Sequence, residues 1–364
     1  MLDLTSALYL GLSHPSGSLG TWDQLTMGRP RVLDAFAEDA RLTHSLARLI
    51  GCERAALASS TLHLFTDLFE LLARQSIALH ADAGVYPIAL WGAERAALRG
   101  APLSHFHHHD PDALADALRR DDARGRRARR PIVIADGFCP GCGEPAPLAA
   151  YQELVSQRGG LLVIDDTQAL GVLGERSRRG NGLFGHGGGG SLRWQGVAGG
   201  NILIAASLAK GFGVPLAVLA GSGARIASFE SHSMLREHAS PPSRVTLLAA
   251  VRALAINRHA GDALRSRLAL NVQYLRRGLG ALGLASIGNA FPVQTLIAQA
   301  GFEPARMFRR LHAVGVRALL TRFRCLGRVG LSLLLNAALD LSDIARVLRA
   351  FAIGLARQPA ACAI

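Results

Sequence analysis

The stretch NILIAASLAKGFGVPLAVLAG, Asn201 to Gly221, decides how the rest of the chain is read. Two short apolar runs, ILIAAS and PLAVLAG, flank a turn that carries Lys210, the only lysine among 40 lysine and arginine residues. Arginine can stand in for lysine wherever charge alone is needed, but its guanidinium stays protonated and cannot act as a nucleophile. An amine whose proton affinity is lowered by its surroundings can form a Schiff base with an aldehyde or ketone. A strongly arginine-biased sequence that keeps one lysine at a strand end therefore points to chemistry at Lys210, against the plainer alternative that this lysine is a chance survivor.

The runs around this stretch are of the same kind. AALAS, SIALHAD, RPIVIADG and GGLLVIDD precede it, separated by segments with helical Leu/Ala spacing such as TLHLFTDLFELLARQ and LAAYQELVSQRGG. Continuous apolar strands alternating with helices predict an α/β fold with a mostly parallel sheet covered on both faces. Beyond about residue 245 the pattern becomes mainly helical, with later strand candidates FPVQTLIA and VGLSLLL. The expected organisation is a large α/β domain over residues 41–245 and a smaller α+β domain over 246–364, with residues 1–40 packing on the latter. The Gly-rich HGGGGSLRWQGVAGGN, 186–201, is expected to be a mobile loop or flap.

Composition narrows the function classes. The chain has 364 residues, 49% of them hydrophobic, enough for a sizeable core. Its apolar runs are interrupted well before the roughly 18 residues of a membrane helix, and the start MLDLTSALYLGLSHPSG lacks the basic end and small-residue cleavage site of a secretory signal. A soluble, cytoplasmic protein with no membrane partner is expected. The formal charge of +13 raises the question of nucleic acid. The densest basic run, Arg119 to Pro131, lacks aromatic interleaving and any DNA- or RNA-binding signature, so it reads as a solvated loop and no nucleic-acid partner is expected. Positive charge also suits phosphate-rich substrates such as coenzyme A, or an acidic carrier protein.

Two clusters have ligand-like spacing. Cys139 and Cys142 form a C-P-G-C pair with no second pair in the sequence, and Cys52, Cys325 and Cys362 are scattered. An irregular loop is the preferred reading, with no metal site expected. His105, His107, His108 and His109 precede the helical DPDALADALRR and read as a solvated turn, since adjacent side chains on a strand or loop point in different directions.

Ligands of open α/β sheets bind beyond the carboxyl ends of the strands. GGLLVIDD ends at Asp165 and Asp166, and NILIAAS ends at Ser207, three residues before Lys210. A carboxylate, an amine and a hydroxyl at neighbouring strand ends suit pyridoxal 5'-phosphate: the amine for the aldehyde, the carboxylate for the ring nitrogen, the hydroxyl and nearby backbone N–H groups for the phosphate. An aspartate at a strand end is also a common helix N-cap. With Lys210 beside it, the cofactor role is preferred.

Five segments, in order along the chain, resemble those of fold-type I pyridoxal-phosphate enzymes, most closely the α-oxoamine synthase family of 8-amino-7-oxononanoate synthase, glycine C-acetyltransferase and serine palmitoyltransferase. They are LTSALYLGLSHPSG, SHFHHHDPDALADAL, IADGFCPGCGEPAPL, LLVIDDTQALGVLGERSRRG and SLAKGFGVPLAVLAGS. The resemblance implies a seven-stranded, mostly parallel sheet. It also implies a homodimer with the active site at the interface, and condensation of an amino acid, usually with loss of carbon dioxide, with an acyl-CoA or acyl-carrier-protein thioester. It implies Lys210 as the Schiff-base lysine and acid/base on the substrate, Asp165 as the carboxylate on the ring nitrogen, and Ser207 at the phosphate. Ser60 and Thr61 fall where the family's backbone amides meet the phosphate, and Ser240, with Ala239, in a segment that reaches a neighbouring subunit's site. Tyr86 stands where the family stacks a histidine on the ring; Gln168 replaces a histidine and can still bond the ring hydroxyl. The family's carboxylate-binding asparagine and arginine become Ala7 and Gly330, so Arg322, Arg324 or Arg328 is the expected substitute for binding the substrate carboxylate. The missing clamp keeps a second function in view: an aminotransferase, or other lysine-aldehyde chemistry, acting on an unusual amine. A non-enzymatic binding module is the third and least favoured.

Overall fold

The computed structural model describes residues 1–176, 182–325 and 327–356. The chain groups into two units: residues 13–138 with 145–261, and residues 1–12 with 139–144 and 262–364.

The first unit is built on seven strands: β1 (Arg54–Ala58), β2 (Ile77–Asp82), β3 (Leu103–Phe106), β4 (Arg130–Asp136), β5 (Leu161–Asp165), β6 (Ile202–Ser207) and β7 (Ala217–Gly221). Their spatial order is β1-β7-β6-β5-β4-β2-β3. Neighbours from β3 through β6 run parallel, whereas β7 is antiparallel to both β6 and β1. This is the seven-stranded, mostly parallel α/β sheet expected. Every residue of β2 and β5 is buried, which is why LLVID, and IALHAD apart from His80 and Asp82, are apolar without alternation. Helices α1 (Ala37–Ile50), α2 (Thr61–Leu72), α3 (Pro87–Leu98), α4 (Pro111–Ala123), α5 (Leu148–Ser156) and α6 (Gly223–His232) connect and flank them. Starts follow local chemistry: Asp110 accepts the Ala113 N–H at 2.9 Å ahead of α4, and Pro111 occupies its first turn, where a missing N–H costs nothing. Phe65 and Phe69 of α2 stack at 6.2 Å within the buried cluster between α2, α3 and the sheet.

The second unit has a three-stranded antiparallel sheet of β8 (Val293–Leu296), β9 (Leu319–Arg322) and β10 (Val329–Leu334), in the order β8-β10-β9. Helices α8 (Pro304–Ala313) and α9 (Leu341–Ala356) belong to it, and Leu2–Asp3 pairs with Val316–Arg317. Of the expected N-terminal segment, residues 1–12 group with this unit and 13–40 with the large sheet. The division at 261/262 falls inside a single 38-residue helix, α7 (Arg244–Ala281). No helix among the described residues is long and apolar enough to cross a membrane.

The Gly-rich stretch departs from the flap expected of it. Gly188, Gly189 and Gly190 are buried, and Ser191–Gln195 is a short helix. Gly190 has φ +88°, and a Cβ there would collide with Asp166 Oδ2. Glycine is required for close approach at this point, not for mobility.

Candidate active site

Parallel pairing brings several polar strand ends to one edge of the sheet. Asp136 lies in register with Asp165, Asp165 with Ala205, Ser207 with Ala217, and Ala217 with Ala58. The segments that leave this edge carry Ser59 to Thr61, Tyr86, Asp136, Asp165 to Gln168, and Ser207 to Lys210. All belong to the first unit.

Asp165 is 6% exposed and accepts the Thr167 N–H at 3.0 Å. Thr167 Oγ1 in turn accepts the Ser207 N–H at 2.9 Å, linking the ends of β5 and β6. Burial raises the Asp165 carboxyl above its ordinary range, although the Thr167 bonds and the Lys210 charge pull it down. Half-buried Lys210 is the mirror case: burial lowers its amine below the ordinary lysine value, against the pull of Asp165 and Asp136. Each group thus meets the other's charge without being fully compensated. The pair fits a cofactor with a protonated ring nitrogen, because a cation set against Asp165 would stabilise its charged form.

Tyr86 is half exposed, and the Lys210 Nζ lies over its ring at 5.6 Å from the centroid. Its backbone N–H bonds to Asp136 Oδ1 at 3.0 Å, which fixes the first turn of α3. An open aromatic face beside the amine can take a flat heteroaromatic ring. Ser60 is the N-cap of α2, its Oγ accepting the His63 N–H at 3.4 Å and lying 2.8 Å from His63 Nδ1; Thr61 is buried behind it. The 12-residue α2 points its N-terminus at this edge, an environment suited to phosphate. Ser207 Oγ accepts the Ala209 N–H at 3.2 Å and shapes the turn into Lys210. Gln168 is half-buried in the turn after β5. Exposed Ser240 lines a small cavity with Ser59, His63 and Arg236 of its own chain.

Two residues at this edge are not singled out by the sequence alone. Thr167 was hidden inside the matched motif. Asp136 carried a signal, since RPIVIADG ends its strand in an acid before glycine just as LLVIDD ends in two. The histidine cluster is also more ordered than a solvated turn. His105 and His107 are exposed, but His108 Nδ1 meets the buried Asp82 at 2.6 Å, and the His109 N–H reaches the same carboxylate at 2.9 Å. Burial pushes Asp82 up; the bonds from His108, His109 and Gly84 outweigh it and hold the carboxyl below its usual range.

Asp166 behaves differently from Asp165. It is fully buried, Oδ2 accepts the Ser191 N–H at 3.0 Å, and burial with the neighbouring Asp165 charge pushes its carboxyl up to about 7. The native chain therefore holds a proton between pH 4 and 7 that the unfolded chain has released, so this group's contribution to stability falls as pH rises through that window. Asp166→Asn is expected to remove the fall. Between pH 5 and pH 8 the wild type should lose about 2–3 kcal/mol more than the variant, read from urea unfolding at the two values.

Arg322, Arg324 and Arg328 are exposed in the second unit, at the end of β9 and in the turn before β10. Ala7 is half-buried and Gly330 buried in β10. A Cβ at Gly330 would collide with Thr295 Cγ2 on β8, so no longer side chain fits at that position unless Thr295 moves.

Residues 41–328 match the family model described as Aminotransferase class I and II. Among curated proteins the chain is similar to 8-amino-7-oxononanoate synthase of Klebsiella pneumoniae (strain 342), 28% identical over 361 residues that cover 96% of this chain and 88% of that protein. The 8-amino-7-oxononanoate synthase of Sodalis glossinidius is 30% identical over 325 residues, 86% of this chain and 77% of that one. Similar solved structures include the serine palmitoyltransferase of Sphingomonas wittichii, with TM-score 0.81, 18% identity, and coverage of 97% and 86%. The 8-amino-7-oxononanoate synthase of Francisella tularensis has TM-score 0.73, 18% identity and 98% coverage of both chains. At such identities the two structures speak for the fold.

Proposed function

We propose that this chain, which belongs to the aminotransferase class I and II family, is a pyridoxal 5'-phosphate-dependent transferase of the α-oxoamine synthase type that joins an amino acid to an acyl thioester. The observation that carries the chemistry is the mutual arrangement of Lys210, Asp165 and Tyr86 at one sheet edge.

Lys210 is the residue to hold the cofactor's aldehyde carbon, Asp165 its ring nitrogen, Tyr86 a ring face, and Ser60, Thr61 and Ser207 its phosphate, with Gln168 at the ring hydroxyl. When bound, the cofactor supplies an electron-poor ring that takes up the electron pair released at the substrate α-carbon. The Lys210 amine, biased by burial toward its neutral form, is both the nucleophile for attachment and the base that takes a proton from that carbon and returns it. Asp165 keeps the proton on the ring nitrogen. Thr167 orients Asp165 from the adjoining strand end.

Arg322, Arg324 or Arg328 is proposed for the substrate carboxylate. A homodimer is proposed as the working state, Ser240 reaching the partner's site; Leu25, Val32 and Leu33 are exposed apolar residues suited to a subunit interface. A reducing, cytoplasmic setting agrees with four free cysteines among the described residues.

Release of free thiol from an acyl-CoA panel, dependent on both an amino acid and pyridoxal phosphate, tests the reading. A closed Gly330 position favours one second reading, transamination of an amine without a carboxylate. Conversion of the cofactor to its pyridoxamine form with no thioester present would establish that instead. Tyr86→Ala is expected to weaken cofactor retention about 3- to 10-fold, and Tyr86→Phe to leave it near wild type, by equilibrium dialysis.

A further inference from the structure

The second unit carries a cluster that the proposed reaction does not use. Cys139 and Cys142, from the C-P-G-C segment, meet Cys325 from the turn between β9 and β10, 186 residues away from Cys139 in sequence. The Cys139 and Cys325 sulfurs are 3.4 Å apart, and all three Sγ atoms lie within 4.8 Å of one another. We propose that Cys139, Cys142 and Cys325 form a thiolate site for one zinc ion, which ties the 139–144 loop to the β9–β10 turn.

The spacing decides the chemistry. Four ligands around zinc at about 2.3 Å place sulfurs about 3.8 Å apart along each edge of the tetrahedron. The 3.4 Å separation lies close to that edge, the other sulfurs are within 4.8 Å, and 3.4 Å is well beyond the roughly 2.05 Å of a disulfide. A disulfide would also use two of the sulfurs and leave a third thiol stranded beside them.

The backbone is shaped for the same end. The Gly143 N–H closes the turn on the Cys139 carbonyl at 2.9 Å, and Gly143 takes φ +77° immediately after the second cysteine. A Cβ at Gly143 would stand 2.5 Å from Gly288, and one at Gly141 would stand 2.5 Å from the Cys325 sulfur. Only glycines let the loop come this close to the third thiol. Asn289 clasps the loop from the other side, donating to the Gly143 carbonyl at 3.3 Å and to Glu144. Cys139 is buried and the other two are half-buried, so the site is screened yet can be reached by an ion.

Three thiolates are soft ligands, which select zinc over magnesium or calcium, and the fourth position is completed by a nitrogen or oxygen ligand. Each thiol gives up its proton on binding, so three protons leave per ion.

The test uses the full chain, stripped with chelator under reductant and reloaded with zinc or cobalt. One equivalent should bind. Cobalt should give tetrahedral ligand-field bands with thiolate charge transfer, and X-ray absorption of the zinc form should count three sulfurs at about 2.3 Å and one lighter ligand. Cys142→Ser and Cys325→Ser should each weaken uptake at least about 100-fold, more than loss of an outer-shell partner costs, while Cys52→Ser leaves it unchanged. If a variant fails to fold, the sulfur count of the wild type still decides. Fewer than three sulfurs, no uptake by a protein whose three thiols are chemically titratable, or a Cys139–Cys325 disulfide in the purified chain would overturn the proposal.

Discussion

Lys210→Arg is expected to lower turnover by about 1000-fold or more while leaving the chain folded. Arginine keeps the positive charge and most of the length, and 39 other arginines show how readily this sequence accepts it. It lacks only an amine that can lose its proton. Burial already drives the Lys210 amine below its ordinary proton affinity, a preparation that serves no purpose for a surface cation. Borohydride reduction of the cofactor-loaded wild type should leave a pyridoxyl group on the peptide containing Lys210, found by mass spectrometry; the variant should carry none. A trapped group on a different residue, or full turnover by the arginine variant, would remove Lys210 from the chemistry.

Asp165→Asn separates two roles that an aspartate at a strand end can have. The asparagine is nearly the same shape and can still accept the Thr167 N–H, but it carries no charge. A helix-capping Asp165 would lose stability on substitution and leave turnover alone. For a carboxylate that serves the ring nitrogen the signs reverse. Its raised carboxyl shows that the buried charge destabilises the cofactor-free chain at neutral pH, so the variant without cofactor should unfold at the same or higher urea concentration. Turnover should fall about 100- to 10,000-fold, because no anion remains to keep the ring nitrogen protonated. Urea midpoints of the cofactor-free proteins, set beside turnover of the loaded ones, read both effects. A destabilised but fully active variant would return Asp165 to capping.

Much of this sheet edge is legible in the sequence. RPIVIAD, LLVID and ILIAAS are apolar without alternation because both faces of a parallel sheet are covered, and such runs must end in polar residues where the chain reaches solvent. Those ends carry the residues of the proposed site, so Asp165, Ser207 and Lys210 are legible from one local rule. The same rule extends to Asp136. Thr167 is different: its bond to the Ser207 N–H depends on which strand lies beside β5, and strand order is not written in either segment.

Glycine shows the limit most clearly. A run of four glycines at 187–190 has the composition of a flexible loop, but three of them are buried and Gly190 lies against Asp166. Composition reports what a backbone can do; packing decides which use is made of it. The cysteines follow the same logic. C-P-G-C is a weak motif alone because its third sulfur comes from Cys325, and no pattern of spacing links positions so far apart.

By itself, then, the sequence determined the alternation of buried strands and helices, the single lysine and the acid that ends the neighbouring strand, because these rest on periodicity and on residue identity. The tertiary structure decided which strand ends stand side by side, that Tyr86 faces Lys210, that Gly330 is closed by Thr295, and that a distant third thiol joins the C-P-G-C pair. Those are distances between segments, and only folding sets them.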